Sequence, residues 1–368
     1  MRDVLPQLID RVRQGPVALA RVVAVTGAGP RELGAAMVVT AAGEVIGSLS
    51  GGCVEAAVVE SAADVLATGS AVLEHFGIAD PDGIAIGLTC GGEMEVFVER
   101  VGAERLEELA ALDRALRAGR AVSLVTTLNS APVWHLVEDG IESLAAAAHS
   151  ATGRLESSGP SRDAMHMAAG GRTGTVGSEE CEPEFPVRAF VQSFGPRARM
   201  ILAGANDFVR ALSRLGAQLG YRVTVVDARE TFATAARFPA AHEVVVEWPH
   251  RYLRRERDLG RVDSRTVVCV LTHDSKFDVP MIAEALGIEG IGFVGALGSR
   301  RTHEDRLARL TAAGVGPELL RRLRSPIGLD LNASTPDETA VSIAAQIIAE
   351  STGASARPLT HTPGPIHH

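Results

Sequence analysis

Apolar runs in the second half of the chain, at Met200 to Ala203, Val223 to Val226, Val244 to Val246, Val267 to Leu271 and Ile291 to Val294, are continuous instead of alternating with polar residues. A strand that is apolar at every position is buried on both faces, and only a parallel sheet with helices on each side offers that environment. Helical patterns fill the intervals between the runs, so the region from about 195 to 352 is expected to be a Rossmann-like, doubly wound α/β domain. Its last helix is announced by a capping box, Thr335 with Pro336 and Glu338, followed by Ala340, Ile343, Ala344, Ile347 and Ile348 on one face.

The first of these strands runs into Gly204-Ala205-Asn206-Asp207-Phe208-Val209, and the second ends in Asp227. That is the layout of a dinucleotide fold, in which glycines let the backbone approach a pyrophosphate and an acid roughly 20 residues on binds a ribose hydroxyl. Only Gly204 of the fingerprint glycines is present. Asn206 stands where close approach needs a glycine, and Val209 where Gly or Ala is usual. The expectation is a nucleotide bound weakly at best, with Asp227 on a ribose and the Ser299-Arg300 turn near a phosphate. Polar residues gather where the other strands should end, at Asp227-Ala228-Arg229, Thr272-His273-Asp274-Ser275-Lys276 and Gly298-Ser299-Arg300-Arg301. Ser299 and Arg300 suit an anion, although helix starts attract serine in any case. His273 could contact a ligand or simply cap its loop.

Residues 1 to 194 read differently, as an α+β domain of alternating short strands and helices. An amphipathic helix at the N-terminus breaks at Gly15-Pro16. Strands are expected at Arg21 to Val25, Ala35 to Thr40, Val45 to Leu49, Glu93 to Glu99 and Val122 to Thr126, with a helix over 104 to 117. Three glycine-rich loops stand out. One, Gly27 to Gly34, carries Arg31 and could close over an anion. In the second, Ser50-Gly51-Gly52-Cys53 opens a helix, and a cysteine in a first helical turn, beside exposed N–H groups, is placed to be a thiolate or soft ligand. The third is Cys90-Gly91-Gly92. Cys53 and Cys90 are therefore the candidate metal ligands, with Gly51, Gly52, Gly91 and Gly92 as cofactor-cradling backbone; a small buried residue is the rival reading of Cys53. Cys269, in mid-strand, reads as core. The segment 150 to 187 is expected to be a mobile loop, so neither Cys181 nor Met165-His166-Met167 is read as a site. Gly195-Pro196 marks the domain boundary, and 353 to 368 reads as a disordered tail.

Composition excludes several classes of partner. With 36 basic against 45 acidic residues the chain carries −9, and only 4% of its residues are aromatic, so nucleic acid and acidic membrane surfaces are poor partners. No apolar run reaches the roughly 18 residues of a membrane span, and charges interrupt any signal-peptide core, so a cytoplasmic location is expected. Four cysteines in that compartment are not a disulfide frame.

Taken together, GAGPRELGAAMVVT, GSLSGGCVEAA and GLTCGGEMEVFVE in the first half, and THDSKFDVP, GFVGALGSRRTHEDRLARL and SPIGLDLNASTPDETAVSIAAQIIAE in the second, resemble the XdhC/CoxI family of accessory proteins that mature molybdenum hydroxylases such as xanthine dehydrogenase. The resemblance implies an N-terminal domain that handles the molybdenum cofactor (molybdopterin or a dinucleotide form) and a Rossmann-like C-terminal domain. It implies a chaperone that holds the cofactor while a cysteine desulfurase supplies the terminal sulfur, then passes it to the apo-hydroxylase; a homodimer is compatible with it. Two other readings stay open. One is an NAD(P)-dependent oxidoreductase using the second half, with His273 or Lys276 as proton donor. The other is an assembly factor without a small ligand, for which both cysteines are dispensable.

Overall fold

The computed structural model describes residues 1–27, 31–77, 92–138, 162–177, 188–272 and 274–363. Cys90, Gly91, Cys181 and His273 therefore lie outside the described residues. The chain divides into two compact units, Met1–Pro196 and Arg197–Thr362.

The first unit runs α1 (Leu5–Gln14), β1 (Val17–Thr26), β2 (Ala36–Thr40), β3 (Val45–Gly47), α2 (Glu55–Thr68), β4 (Val72–Phe76), β5 (Glu93–Val101), α3 (Leu106–Arg117), β6 (Val122–Thr127), β7 (Trp134–Glu138), α4 (Arg162–Ala169), β8 (Gly174–Val176) and β9 (Ala189–Phe194). The strands form two antiparallel sheets, in the orders β3-β2-β1-β5-β4 and β7-β6-β9-β8. Alternation along β1 gives each face of the first sheet its own cover. Ala18, Ala20 and Val22 pack with Val58, Ala62 and Val65 of α2, whereas Val17 and Leu19 pack with Leu5, Leu8 and Val12 of α1 and Leu109 and Leu112 of α3.

Arg21 falls in the middle of β1, not at its start as the strand expected over Arg21 to Val25 has it, and its side chain is fully buried. Its Nη2 donates to Glu99 Oε1 at 2.6 Å and to Thr126 Oγ1 at 2.8 Å, while Trp134 Nε1 donates to Glu99 Oε2 at 2.8 Å. The guanidinium carbon lies 5.7 Å from the ring centroids of both Trp134 and Phe190. One ion pair thus ties β1 and β5 of the first sheet to β6, β7 and β9 of the second. The expected loop over 150 to 187 is also corrected within the described residues. Residues 162–169 form a helix whose Ala164 and Ala168 pack on Val125 and Val191, and 174–176 pair with β9. Two turns with an alanine stripe carry too weak a period to be read from sequence.

The second unit runs β10 (Arg199–Ala203), α5 (Asp207–Gln218), β11 (Arg222–Asp227), β12 (Glu243–Val246), α6 (Pro249–Asp258), β13 (Val267–Val270), α7 (Ser275–Gly287), β14 (Phe293–Ala296), α8 (Arg300–Ala312), α9 (Pro317–Leu320), β15 (Leu323–Arg324) and α10 (Pro336–Thr352). All six strands are parallel, in the order β12-β11-β10-β13-β14-β15. This is the Rossmann order, with its switch point between β10 and β13. Alternate residues face opposite layers: Met200, Leu202 and Cys269 pack with Val209 and Leu212 of α5 and Ile343 and Ile347 of α10, and Ile201, Ala203 and Val268 with Leu253 of α6, Ile282 of α7 and Leu310 of α8. Cys269 is core, and burial pushes its thiol pKa up. Thr335 and Glu338 form the expected capping box of α10. Beyond Gly353 the chain makes a short exposed 3-10 turn, Leu359–His361.

Removing one member of a buried ion pair strands the other, which costs about 3–5 kcal/mol. Glu99→Ala is expected to destabilise the protein by that amount in urea unfolding; a loss under about 1 kcal/mol would show that the two sheets do not depend on this pair.

Candidate functional site

The loop between β3 and α2 is built around one carboxylate. The chain leaves β3 at Gly47, where φ is +88° and a Cβ would sit 2.4 Å from the Ala36 carbonyl oxygen, so only glycine fits. Glu55 opens α2 and reaches back into the loop. Its Oε1 accepts from the Ser48 hydroxyl at 2.7 Å and from the N–H groups of Leu49, Ser50 and Gly51 at 3.1, 2.9 and 3.0 Å. Its Oε2 accepts from the Ser50 hydroxyl at 2.5 Å and from the N–H groups of Gly52 and Val54 at 2.9 and 3.3 Å. Partial burial raises the pKa of this carboxyl, but the Ser50 hydroxyl and N–H together with Ser48 outweigh that and hold it far below the usual carboxylate range.

This arrangement corrects two expectations. Cys53 is not in the first turn of α2: the helix begins at Glu55 with Val54 as N-cap, so Cys53 precedes it, its N–H donating to Ser50 Oγ at 2.9 Å. Its side chain is half-buried against the cluster of Val22, Met37 and Val58. Nor are the N–H groups of Gly51 and Gly52 open to an external anion, because both donate to Glu55. The acid was legible only as the residue that follows Ser-Gly-Gly-Cys-Val at a helix start, where negative charge is favoured.

Sheet register places the strand ends that flank the glycine-rich segments at one end of the five-stranded sheet. Gly47 pairs with Met37 at the start of β2, and Glu93, next to the buried Gly92, pairs with Thr26 at the end of β1. Arg31 is exposed on the connection between β1 and β2. Cys90 and Gly91 lie outside the described residues, and among those described no group of three or more His, Cys, Asp or Glu side chains could hold a metal.

In the second unit, the helices that follow β10, β13 and β14 are each capped by a side chain of their own N-cap residue. Asn206 Oδ1 accepts from Val209 N–H at 3.1 Å while its Nδ2 donates to the Leu271 carbonyl at 2.6 Å. Asp274 caps α7 by accepting from Lys276 N–H, and Ser299 caps α8 by accepting from Thr302 N–H, each at 3.1 Å. Ser299 is thus engaged as a cap, and Arg300 follows it, exposed. Gly204, at φ +121°, lets β10 pass close to β13, where a Cβ would meet Thr272 Cγ2 at 3.0 Å. Asp227 does not present its carboxylate to a ribose. It is 2% exposed and takes a bidentate pair from Arg229, Nε to Oδ1 at 2.9 Å and Nη2 to Oδ2 at 2.6 Å, besides the Arg229 N–H at 2.9 Å. The acidic ribose reader of a dinucleotide site is therefore spent on holding an arginine.

Glu55 yields a prediction with a definite sign. Its folded carboxyl titrates below its unfolded one, so the stability it confers is complete above about pH 4.3 and is lost as pH falls toward the folded pKa. Glu55→Gln should cost about 1–3 kcal/mol at pH 7, and the gap between wild type and variant should narrow below about pH 4. Urea titrations at successive pH values that gave a constant gap would remove the carboxylate from this role.

Comparison with known proteins assigns the chain. Residues 11–77 match the XdhC and CoxI family and residues 200–347 the XdhC Rossmann domain. The chain is 27% identical to a probable xanthine dehydrogenase subunit of Bacillus subtilis, over 91% of its length and 93% of that protein. It is 25% identical to the molybdenum cofactor insertion chaperone PaoD of Escherichia coli, over 94% of its length and 87% of that protein. A crystal structure described as a xanthine dehydrogenase from Bacillus halodurans shares the fold, with a TM-score of 0.71 over 98% of each chain at 24% identity. With the family's N-terminal region followed by its Rossmann domain, this chain belongs to the XdhC and CoxI family.

Proposed function

We propose that this chain is a molybdenum-hydroxylase accessory protein that takes the molybdenum cofactor as cargo, keeps it while a cysteine desulfurase supplies the terminal sulfur, and delivers it to the apo-hydroxylase in the cytoplasm. The relative named a molybdenum cofactor insertion chaperone, aligned over 94% of this chain, supports the role, and the Bacillus subtilis relative, named for xanthine dehydrogenase, supports the class of client. The observation that carries the reading is the loop around Cys53. Its backbone is fixed by the bonds to Glu55, and it carries a half-buried thiol.

The donor set fits the cargo in part. A cysteine sulfur is the soft donor that a metal dithiolene centre accepts. A phosphate cradle does not fit the same loop, because an entering phosphate would have to displace the Glu55 carboxylate from five N–H groups. Cys53 is accordingly read as the contact to the metal end of the cargo, with Cys90 as its proposed companion. Catalytic use of NAD(P) is the less supported reading, since Asn206 takes the Val209 N–H and Asp227 is bound to Arg229.

The test is to isolate the protein from cells that make the cofactor, denature it, and assay the supernatant for molybdenum and oxidised-pterin fluorescence. Cys53→Ala and Cys90→Ala, each with an unchanged circular dichroism spectrum, should lower cofactor occupancy and the activation of a partner hydroxylase at least tenfold. Full occupancy and activation with Cys53→Ala would reduce that thiol to packing.

A further inference from the structure

At the switch point of the parallel sheet lies a cavity of about 720 Å³, lined by Ala205, Asn206, Arg229, Phe232, Arg237, Thr272 and Phe277 among others. Two of its properties do not follow from the fold. The first is charge. Each acid in or beneath it already has a cation: Asp227 pairs with Arg229, Asp207 with Arg210 at 3.1 Å, and Asp274 with Lys276 at 3.0 Å. Among the described residues Arg237 has no carboxylate partner; its Nη1 donates only a 3.3 Å bond to the Phe232 carbonyl. Once the pairs cancel, one guanidinium charge is left over on the cavity wall. The second property is aromatic. In a chain with few rings, Phe232 is 42% exposed beside the cavity. The Arg229 guanidinium lies 4.9 Å from its centroid and that of Arg237 5.4 Å, while Arg229 is also 5.9 Å from Phe277. Trp248, 36% exposed, packs on Phe277 with centroids 5.0 Å apart.

We propose that this cavity binds a phosphate monoester carried on a planar heterocycle, with Arg237 and the Asp227-held Arg229 taking the phosphate and Phe232 taking the ring. Arg237, engaged only through Nη1, offers Nε and Nη2 as a fork for phosphate oxygens, Arg229 adds the Nη1 that Asp227 leaves over, and the exposed part of the Phe232 ring beside both guanidinium groups receives the heterocycle. Anion recognition has moved from the helix start to the side chains. The N–H of Val209, which a pyrophosphate would use, is held by Asn206, so a dinucleotide gains nothing over a monophosphate here. The ring can be that of a nucleotide or of a phosphorylated pterin. The inference does not depend on Cys53 or on cargo binding in the first unit.

Calorimetry on the full-length protein tests it, with adenosine 5′-monophosphate, 6-hydroxymethylpterin phosphate, adenosine, inorganic phosphate and NAD as separate probes. At least one of the two phosphorylated rings should bind tenfold or more tightly than adenosine and inorganic phosphate, and the tighter of the two names the source. Arg237→Ala should weaken that ligand at least tenfold while leaving the ligand-free unfolding midpoint in place. Phe232→Leu should bring its affinity down to that of inorganic phosphate. Arg229 is left intact, because its removal would strand the buried Asp227. Adenosine binding as well as its monophosphate, no binding of either phosphorylated ring at millimolar concentration, NAD binding tenfold more tightly than the monophosphate, or an unchanged affinity in Arg237→Ala would each overturn the proposal.

Discussion

The carboxylate of Glu55 sits where five backbone N–H groups and two serine hydroxyls converge. A helix start preceded by glycines leaves donors that nothing in the helix can satisfy, and in many folds a phosphate answers them. Here the chain answers them itself. The same solution recurs in the second unit, where Asn206, Asp274 and Ser299 cap the helices that follow β10, β13 and β14. With backbone donors engaged in this way, the binding proposed for each unit rests on side chains, a thiol in one and guanidinium groups in the other. In the loop before α2 the N–H groups of Gly51 and Gly52 serve to hold the backbone on Glu55.

Buried cations follow a second common rule. Arg21 of β1 bridges Glu99 of β5 and Thr126 of β6. Arg306, 3% exposed, reaches Asp278 at 3.2 Å, Ser325 at 2.9 Å and the Leu297 carbonyl at 2.8 Å. Each joins two or more elements, which a planar fork can do and a single ammonium does less well. In this chain arginine is a structural crosslink as much as a surface charge.

Those pairings mark where the sequence stops being legible. Continuous apolar runs disclosed the parallel sheet because burial on both faces is written into each strand separately, and the capping box of α10 is local for the same reason. Arg21 gave no such signal. Its partner Glu99 is 78 residues away, so the residue resembled the start of a strand instead of its middle. Around Cys53 the glycines were visible but the occupant of their N–H groups was not, since a glutamate at a helix start reads equally well as a solvated acid. Asp227 stood at the position expected of a ribose reader, and only side-chain geometry reveals that Arg229, two residues on, has taken it.

The scarcity of lysine has an experimental use. Lys276 is the chain's only lysine, its ammonium lies 4.9 Å from the ring of Phe277, and Phe277 lines the switch-point cavity. Its side chain is 60% exposed although paired with Asp274. An amine-directed fluorophore or crosslinker would therefore find one side chain to modify, at the rim of that cavity. Apart from the Met1 α-amine, which is buried and donates to the Gly34 carbonyl, this lysine is the one amine available as a reporter on the Rossmann unit.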